Sequence, residues 1–210
     1  SADALLKLMR KNGVTFEDIE SVTARTYQTA INVLGMTGRG ETVHQSKFSM
    51  GFVLAVIAKK GQAMITDFTE KDLENSSLRE FQQRVKMELD PEIDRAFPEK
   101  WQGTVIVTTK AGRTFTESVE FAKGDPELPL TRYVDYQSLI DLPGLTFDQR
   151  DEIERKAHTL AAYGGFNDTE KVNQLIVRAW NLEKEKNMNG FVFSADSLLS
   201  VEFPSFRRNV

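Results

Sequence analysis

Residues 104–121, TVIVTTKAGRTFTESVEF, decide the fold of this chain. The segments Thr104–Thr109 and Thr114–Phe121 are rich in β-branched residues, which favour strands. The tetrapeptide between them contains Gly112, and glycine readily adopts the positive φ angle that a tight turn requires. The stretch therefore predicts a β-hairpin that belongs to a larger sheet.

Two segments nearer the N-terminus predict further strands. Residues 19–27 are rich in Val and Thr and are polar on one face. In residues 85–89, the apolar side chains of Val85, Met87 and Leu89 alternate with charged ones, which is typical of a half-buried strand. Asp90-Pro91 then breaks the run. We expect these strands to join the hairpin in an antiparallel or mixed sheet.

Helical patterns lie between the predicted strands. Residues 2–12 predict a helix that stops at Gly13, and residues 46–60 predict a central helix that stops at Gly61. Thr69 is followed three residues later by Asp72, which is the spacing of a capping box for a short helix. We therefore expect residues 1–130 to form a small α+β domain.

The pattern changes after residues 124–126. Apolar residues recur at helical spacing in residues 146–163 and again in residues 168–186. The tail, residues 191–210, contains four Phe residues and is too apolar for a disordered end. We expect residues 131–210 to form a C-terminal helical segment with an apolar tail, packed separately or against a partner chain.

Composition argues against several classes of partner. The chain has 210 residues, 40% of them hydrophobic, and a net charge of −4, with no basic run that would attract nucleic acid or a membrane surface. Its longest apolar run, residues 52–58, is far shorter than the ~20 residues of a membrane span. There is no cysteine, and the two histidines, His44 and His158, are far apart in sequence. We expect a cytoplasmic protein that binds no metal.

Residues 44–58, HQSKFSMGFVLAVIA, place a cationic loop before an apolar helix. The free N–H groups and the positive dipole end of a helix N-terminus attract anions, and Lys47 and His44 add positive charge. A second interpretation stays open, in which Lys47 is a solvated residue at a helix start and His44 is a surface or capping residue. The glycine cluster of residues 35–40 indicates a flexible loop, because its order differs from that of a dinucleotide-binding turn.

The order of several segments resembles that of the methylcitrate dehydratase (MmgE/PrpD) family, which includes cis-aconitate decarboxylase and iminodisuccinate epimerase. The resemblance covers residues 2–130. The segments that carry it are the helix Asp3–Arg10, the strand entry Phe16–Val22, the helix start Lys47-Phe48-Ser49, the break Asp90-Pro91, the hairpin turn Thr108–Arg113 and the exit Lys123–Pro126.

The resemblance implies an architecture larger than this chain. Family members join a large helical domain, mostly N-terminal, to a smaller α+β lid domain, and the chain then returns to add helices to the large domain. This chain resembles the lid and the returning helices. The helical pattern begins at Ala2 with no capping segment before it, so we expect a piece of a longer protein whose N-terminal helical domain carries the catalytic residues.

The resemblance also implies a chemistry. Family members remove a proton next to a carboxylate of a small polycarboxylate and then expel water or carbon dioxide, or return the proton to the other face, without metal or organic cofactor. The chain would thus belong to a lyase or isomerase that forms homo-oligomers such as dimers. It would contribute no catalytic residue and would be inactive alone. Its expected substrate-binding residues are Lys47, Ser49, His44 and Arg39, supported by the backbone of residues 46–49.

The sequence departs from the family pattern after Asp125. Tyr133-Val134-Asp135-Tyr136 and Leu142-Pro143-Gly144 do not match the family's lysine-phenylalanine helix. An alternative function therefore stays open, in which the chain is a non-catalytic α+β binding or assembly module.

Overall fold

The computed structural model describes residues 1–35, 40–125, 127–128 and 152–184. These residues belong to two compact units, the first ending before residue 130 and the second containing residues 152–184. The boundary near residue 130 lies outside the described residues, so the predicted division into 1–130 and 131–210 stays a prediction.

A mixed β-sheet lies at the centre of the first unit. Its described strands are β1 (Ile19–Thr26), β2 (Val85–Leu89), β3 (Gly103–Thr109) and β4 (Thr114–Val119), in the order β2-β1-β3-β4. Strand β1 pairs in parallel with β2 and antiparallel with β3, and β3 pairs antiparallel with β4. The α+β fold class and the predicted strands are confirmed.

The hairpin between β3 and β4 closes as its sequence predicts. Gly112 has a φ angle of +76°. Its amide donates to the carbonyl oxygen of Thr109 over 2.8 Å, and the amide of Arg113 donates to Thr109 Oγ1 over 3.1 Å. Glycine is favoured at this position because a side chain would strain a backbone with positive φ.

Helices cover one face of the sheet. Helix α1 (Ala2–Asn12) ends at Gly13, which adopts the left-handed conformation with φ +60°. Its apolar side packs against the sheet and the central helix. The buried residues of α1 are Ala4, Leu5, Leu8 and Met9. Val22, Val105 and Val107 are fully buried on the same face of the sheet. This apolar layer is the hydrophobic core of the unit.

The predicted helix over residues 46–60 consists of two helices. A short helix, α3 (Val43–Ser46), ends at Lys47, and the long helix α4 (Met50–Lys60) begins after Ser49. The boundary prediction was wrong because the Ser49 side chain accepts a hydrogen bond from the Phe52 amide and so starts a new helix. Helix α4 stops at Gly61, as predicted.

Shorter helices connect the remaining strands. Helix α2 (Gln28–Gly35) follows β1, and the sequence pattern did not predict it. Helix α5 (Glu70–Leu73) begins with the predicted capping box of Thr69 and Asp72. Helices α6 (Ser76–Gln83) and α7 (Pro91–Ala96) are capped by the side chains of Asn75 and Asp90. These caps satisfy backbone N–H groups that the first helical turn leaves without partners.

The second unit contains two helices, α8 (Glu152–Tyr163) and α9 (Thr169–Trp180). Trp180 Nε1 donates to Glu154 Oε1 over 2.8 Å and so joins them. Helix α9 ends at Trp180, earlier than predicted, and a 3-10 turn, Leu182–Lys184, follows. Residues 146–151, where the first of these helices was predicted to begin, and the apolar tail lie outside the described residues. No helix in the described ranges is both long and apolar enough to cross a bilayer.

Candidate functional site

A pocket of about 860 Å³ opens beside the N-terminus of α4. Helices α2 and α6, strand β2 and the first residues of α4 form its walls. Ile31, Val85 and Met87 give it an apolar side. Its polar lining residues are Asn32, Glu41, Ser49, Arg79, Gln82 and Gln83. A pocket with an apolar wall and a few converging polar groups is typical of a small-molecule site.

Ser49 lies in this pocket at the start of α4. Its side chain is nearly inaccessible, since the residue is 3% exposed. Ser49 Oγ accepts a hydrogen bond from the Phe52 amide over 3.4 Å and another from Gln82 Nε2 over 3.1 Å. The residue therefore caps α4 and also connects it to α6.

Arg79 lies in the wall that α6 forms, and its side chain makes several hydrogen bonds there. Its Nε donates to the carbonyl oxygen of Leu73 over 2.6 Å, and its Nη1 donates to Gln82 Oε1 over 3.2 Å. Both Nη1 and Nη2 donate to the carbonyl oxygen of Gly40 over 3.3 Å. The guanidinium also lies 5.3 Å from the centre of the Phe52 ring. Arg79 thus joins α6 to Gly40 and to the core beneath the pocket.

Two glycines allow close backbone contacts at this site. A Cβ atom on Gly51 would lie 2.8 Å from the carbonyl oxygen of Gln82, so α4 and α6 pack here without a side chain between them. Gly40 has φ +58°, and a Cβ atom there would lie 2.8 Å from Ser46 Cα. Larger residues at either position would force the backbone segments apart.

The N-terminus of α4 supplies donors to the pocket. Met50 and Gly51 both line it, and their amides have no acceptor within the described part of the chain. The helix dipole places partial positive charge at the same end. The arrangement is suited to an acceptor or anion, although a helix start of this kind is common in proteins.

The four predicted site residues do not all come together. Ser49 lines the pocket, whereas Lys47 and His44 are not among its described lining residues. Lys47 ends α3 and is half-buried, and within the described ranges its ammonium has no ion-pair partner. His44 is exposed and packs against Phe48, with ring centres 5.2 Å apart. Arg39 lies outside the described residues.

The backbone of residues 46–49 is not available to a ligand as predicted. The amides of these residues donate to the carbonyl oxygens of Thr42, His44, Gln45 and Ser46 over 2.9–3.3 Å. The prediction was wrong because these amides belong to α3 and the turn after it. The amides of Met50 and Gly51, one step further along the chain, take that place at the start of α4.

A cluster of charged side chains, Lys60, Asp67 and Asp72, lies outside the pocket. Burial opposes the charge of Lys60, but its hydrogen bond to Asp72 and the charges of Asp72 and Asp67 outweigh burial and raise the Lys60 pKa. The described residues contain no group of three His, Asp or Glu side chains placed to hold a metal ion. The pocket itself offers hydrogen-bond donors, an apolar wall and the carboxylate of Glu41.

Comparison with protein families identifies the first unit. The family model for the MmgE/PrpD C-terminal domain matches residues 1–134. The chain belongs to the MmgE/PrpD family. It corresponds to the C-terminal portion of that family, as the order of its segments predicted. No curated protein sequence matches the chain.

The match to the MmgE/PrpD C-terminal domain includes every residue that lines the pocket. Two of these residues, Arg79 and Gln82, were not candidates from the sequence. They lie three positions apart in α6 and therefore on the same side of that helix, which is the signal that could have paired them. Their connection to Ser49 depends on packing between α4 and α6, which the local sequence does not show.

Proposed function

We propose that this chain is the C-terminal portion of a methylcitrate dehydratase-like enzyme that acts on a small polycarboxylate. The enzyme is a lyase or isomerase that removes a proton next to a carboxylate and then dehydrates, decarboxylates or epimerises its substrate. Such a reaction requires donors that bind carboxylates and stabilise negative charge that develops on the enolate-like intermediate. In this proposal the chain supplies some of those donors and the base comes from another part of the enzyme.

The observation that carries the proposal is the pocket within the family-matched domain. The amides of Met50 and Gly51 present hydrogen-bond donors there, beside Ser49 and at the positive end of the α4 dipole. An ionised carboxylate only accepts hydrogen bonds, so it matches such a set. Lys47, two residues before Ser49, offers a cation that no described carboxylate neutralises.

The other substrate contacts belong to the same proposal. We assign Lys47, Ser49, His44 and Arg39 to substrate binding and assign no catalytic residue to this chain. Lys47 and Arg39 would hold carboxylates by charge, with a bidentate geometry available to Arg39. The complete enzyme would be a cytoplasmic homo-oligomer that uses no metal or organic cofactor.

An activity assay tests the proposal. The purified 210-residue chain and a longer protein that includes an N-terminal helical domain would be incubated with citrate, methylcitrate, cis-aconitate and iminodisuccinate. Ultraviolet absorbance would follow the double bond, and NMR would follow epimerisation. We expect turnover only by the longer protein, because loss of a whole catalytic domain removes positioning and electrostatic terms worth about 8 kcal/mol or more.

Two outcomes contradict the proposal. Turnover by the 210-residue chain alone would show that it carries its own catalytic groups. A longer protein that binds none of these polycarboxylates and converts none of them would favour the non-catalytic binding or assembly module.

A further inference from the structure

Strand β2 forms one edge of the described sheet and pairs there only with β1. The two strands are parallel, so alternate residues of β2 turn their backbone groups toward β1. The Val22 amide donates to the carbonyl oxygen of Arg84 over 3.0 Å, and the Asp90 amide donates to that of Thr26 over 2.9 Å, which fixes the alternation. The residues whose amide and carbonyl groups face away from β1 are therefore Val85, Met87 and Leu89.

The side chains of β2 are arranged evenly about Met87. Val85 and Met87 pack against the core on the helix-covered face of the sheet, and Leu89 follows them on that face but is 44% exposed. Lys86 and Glu88 are exposed on the other face, one position before and one position after Met87. A strand with opposite charges at equal distances from its central residue is complementary to an antiparallel copy of itself.

We propose that two copies of this chain dimerise by pairing their β2 strands antiparallel, about a two-fold axis at Met87. In this register every amide and carbonyl group on the outer edge of β2 meets a partner, because residues that face outward then lie opposite one another. Lys86 of each copy lies opposite Glu88 of the other, in a pair without backbone hydrogen bonds, where side chains approach most closely. The proposal names a surface for the homo-oligomer proposed above and so rests on that part of the proposed function.

Charge selects this register over its neighbours. A two-fold axis at Lys86 would place two lysines opposite each other, and an axis at Glu88 would place two glutamates so, and like charges directly opposite destabilise a strand pair. Either shift would also leave backbone groups at one end of each β2 strand without a partner strand. The axis at Met87 pairs the whole strand and packs the exposed Leu89 of each copy against Val85 of the other.

Complementary charge variants test the pairing. Analytical ultracentrifugation of the 210-residue chain should show a concentration-dependent dimer. Lys86→Glu and Glu88→Lys should each weaken dimerisation about tenfold, because both ion pairs of the dimer become repulsions. An equimolar mixture of these two variants should form a mixed dimer, since each Glu then lies opposite a Lys. Lys71→Glu, the same charge change at an exposed residue of α5, is the matched control and should dimerise like the wild type.

Hydrogen exchange measured by NMR tests the register in the ¹⁵N-labelled wild-type chain. The amides of Val85, Met87 and Leu89 should become protected as the protein concentration rises from micromolar to millimolar. The amides of Lys86 and Glu88 bond to β1 and should be protected at every concentration. This measurement needs no substitution, so it decides the question even if a charge variant folds poorly.

Three outcomes overturn the proposal. The first is a chain that stays monomeric at millimolar concentration. The second is a dimer that neither charge variant weakens, and the third is a dimer in which the outward amides of β2 stay unprotected, because another surface would then join the copies. Each of these outcomes leaves the polycarboxylate chemistry to the turnover assay described above, so the two proposals fail separately.

Discussion

Ser49 has two structural roles that depend on one oxygen atom. It starts α4 by accepting from the Phe52 amide, and it joins α4 to α6 by accepting from Gln82. Loss of a helix N-cap costs about 1 kcal/mol, and the buried Gln82 amide would lose a partner as well. Any test of Ser49 in binding therefore needs a measurement of unfolding alongside it.

Lys47 and Phe52 should respond to substitution in opposite ways. In the proposed longer enzyme, Lys47→Ala should lower kcat/KM roughly ten- to a hundredfold, because a hydrogen bond to a charged group contributes ~1.5–3 kcal/mol. Its effect on stability should be small, since the side chain is half-buried at the end of α3. Phe52→Ala should instead cost ~3–5 kcal/mol of unfolding free energy, because Phe52 is fully buried.

Steady-state kinetics and urea unfolding of both variants check this contrast. Unchanged kinetics in Lys47→Ala would leave Lys47 as a residue that only ends a helix. A Phe52→Ala chain with the unfolding free energy of the wild type would contradict the burial of that ring.

Gly51→Ala should destabilise the chain although alanine is the better helix former. Alanine gains about 1 kcal/mol in helix propensity over glycine. The new methyl group would meet the Gln82 carbonyl oxygen at 2.8 Å, so α4 and α6 would have to separate. We expect a net loss of about 1–3 kcal/mol, as for an overpacked core. Thermal unfolding of the wild type and of Gly51→Ala measures this loss of stability.

Gly35→Ala is the control for this substitution. A Cβ atom there would make ordinary contacts at 3.9 Å with side-chain atoms of Ile31 and Met87. Its stability should stay close to that of the wild type. Equal effects of the two substitutions would show that close helix packing at Gly51 is not the cause.

At the scale of elements, α1 is held to β4 by charges as well as by apolar packing. Lys7 Nζ lies 2.8 Å from Glu117 Oε1, and Lys11 Nζ lies 3.3 Å from Glu117 Oε2. The Glu117 side chain is only 10% exposed. Strand β4 pairs with β3 along one edge, and an inward-pointing charge on such a strand discourages pairing with other chains.

Glu117 should make stability depend on pH in the acidic range. Burial alone would raise its pKa, but the hydrogen bonds and charges of Lys7 and Lys11 outweigh burial and lower the pKa below its ordinary value of 4.5. The unfolded chain then binds a proton more readily than the folded chain. The contribution of Glu117 is therefore complete above pH 4.5 and is lost as the pH falls through the lowered pKa.

Chemical unfolding as a function of pH tests this expectation. Glu117→Gln should be less stable at neutral pH and should show a weaker loss of stability on acidification. Glu20→Gln, which changes an exposed carboxylate on β1, should retain the wild-type pH profile. Identical pH profiles for Glu117→Gln and the wild type would contradict the role of the ion pairs.

The sequence predicted elements where the signal is local. The alternation in β2 and the turn at Gly112 both appear in a few consecutive residues, and both are confirmed. The break before α4 was missed because no glycine or proline lies between residues 43 and 50, and only the cap formed by Ser49 marks the new helix. Arg79 and Gln82 were missed for another reason, because their contacts with Gly40 and Ser49 join residues that are 39 and 33 positions apart in the sequence.

At the scale of the whole molecule, the described residues of the two units differ in how much apolar surface they bury. The first unit has an extensive buried core. In the second unit Val172 is 5% exposed, whereas Leu160, Tyr163 and Val177 are 46%, 57% and 60% exposed. Apolar burial is the main favourable term in folding, so the helices of the second unit contribute little stability through their described contacts.

We therefore expect residues 1–130 to fold without the rest of the chain. A fragment of residues 1–130 should unfold cooperatively and keep the contacts between β3 and β4, such as the 2.8 Å hydrogen bond between the hydroxyls of Thr104 and Ser118. A fragment of residues 131–210 should lack a cooperative transition. Circular dichroism measures the cooperativity of unfolding of both fragments, and NMR detects the contacts between β3 and β4. A disordered 1–130 fragment would contradict the predicted domain division.

The central position of β1 has a consequence during protein synthesis. Strand β1 leaves the ribosome well before β2 and β3, the two strands between which it pairs. Strands β3 and β4 follow one another closely, and hairpins of this kind form within about 1–10 μs. The β1 segment must therefore wait unpaired in the nascent chain. During that interval β1 exposes strand edges on which aggregation can begin. We therefore expect chaperones to bind the ribosome-bound chain most strongly at β1, before β2 and β3 have emerged.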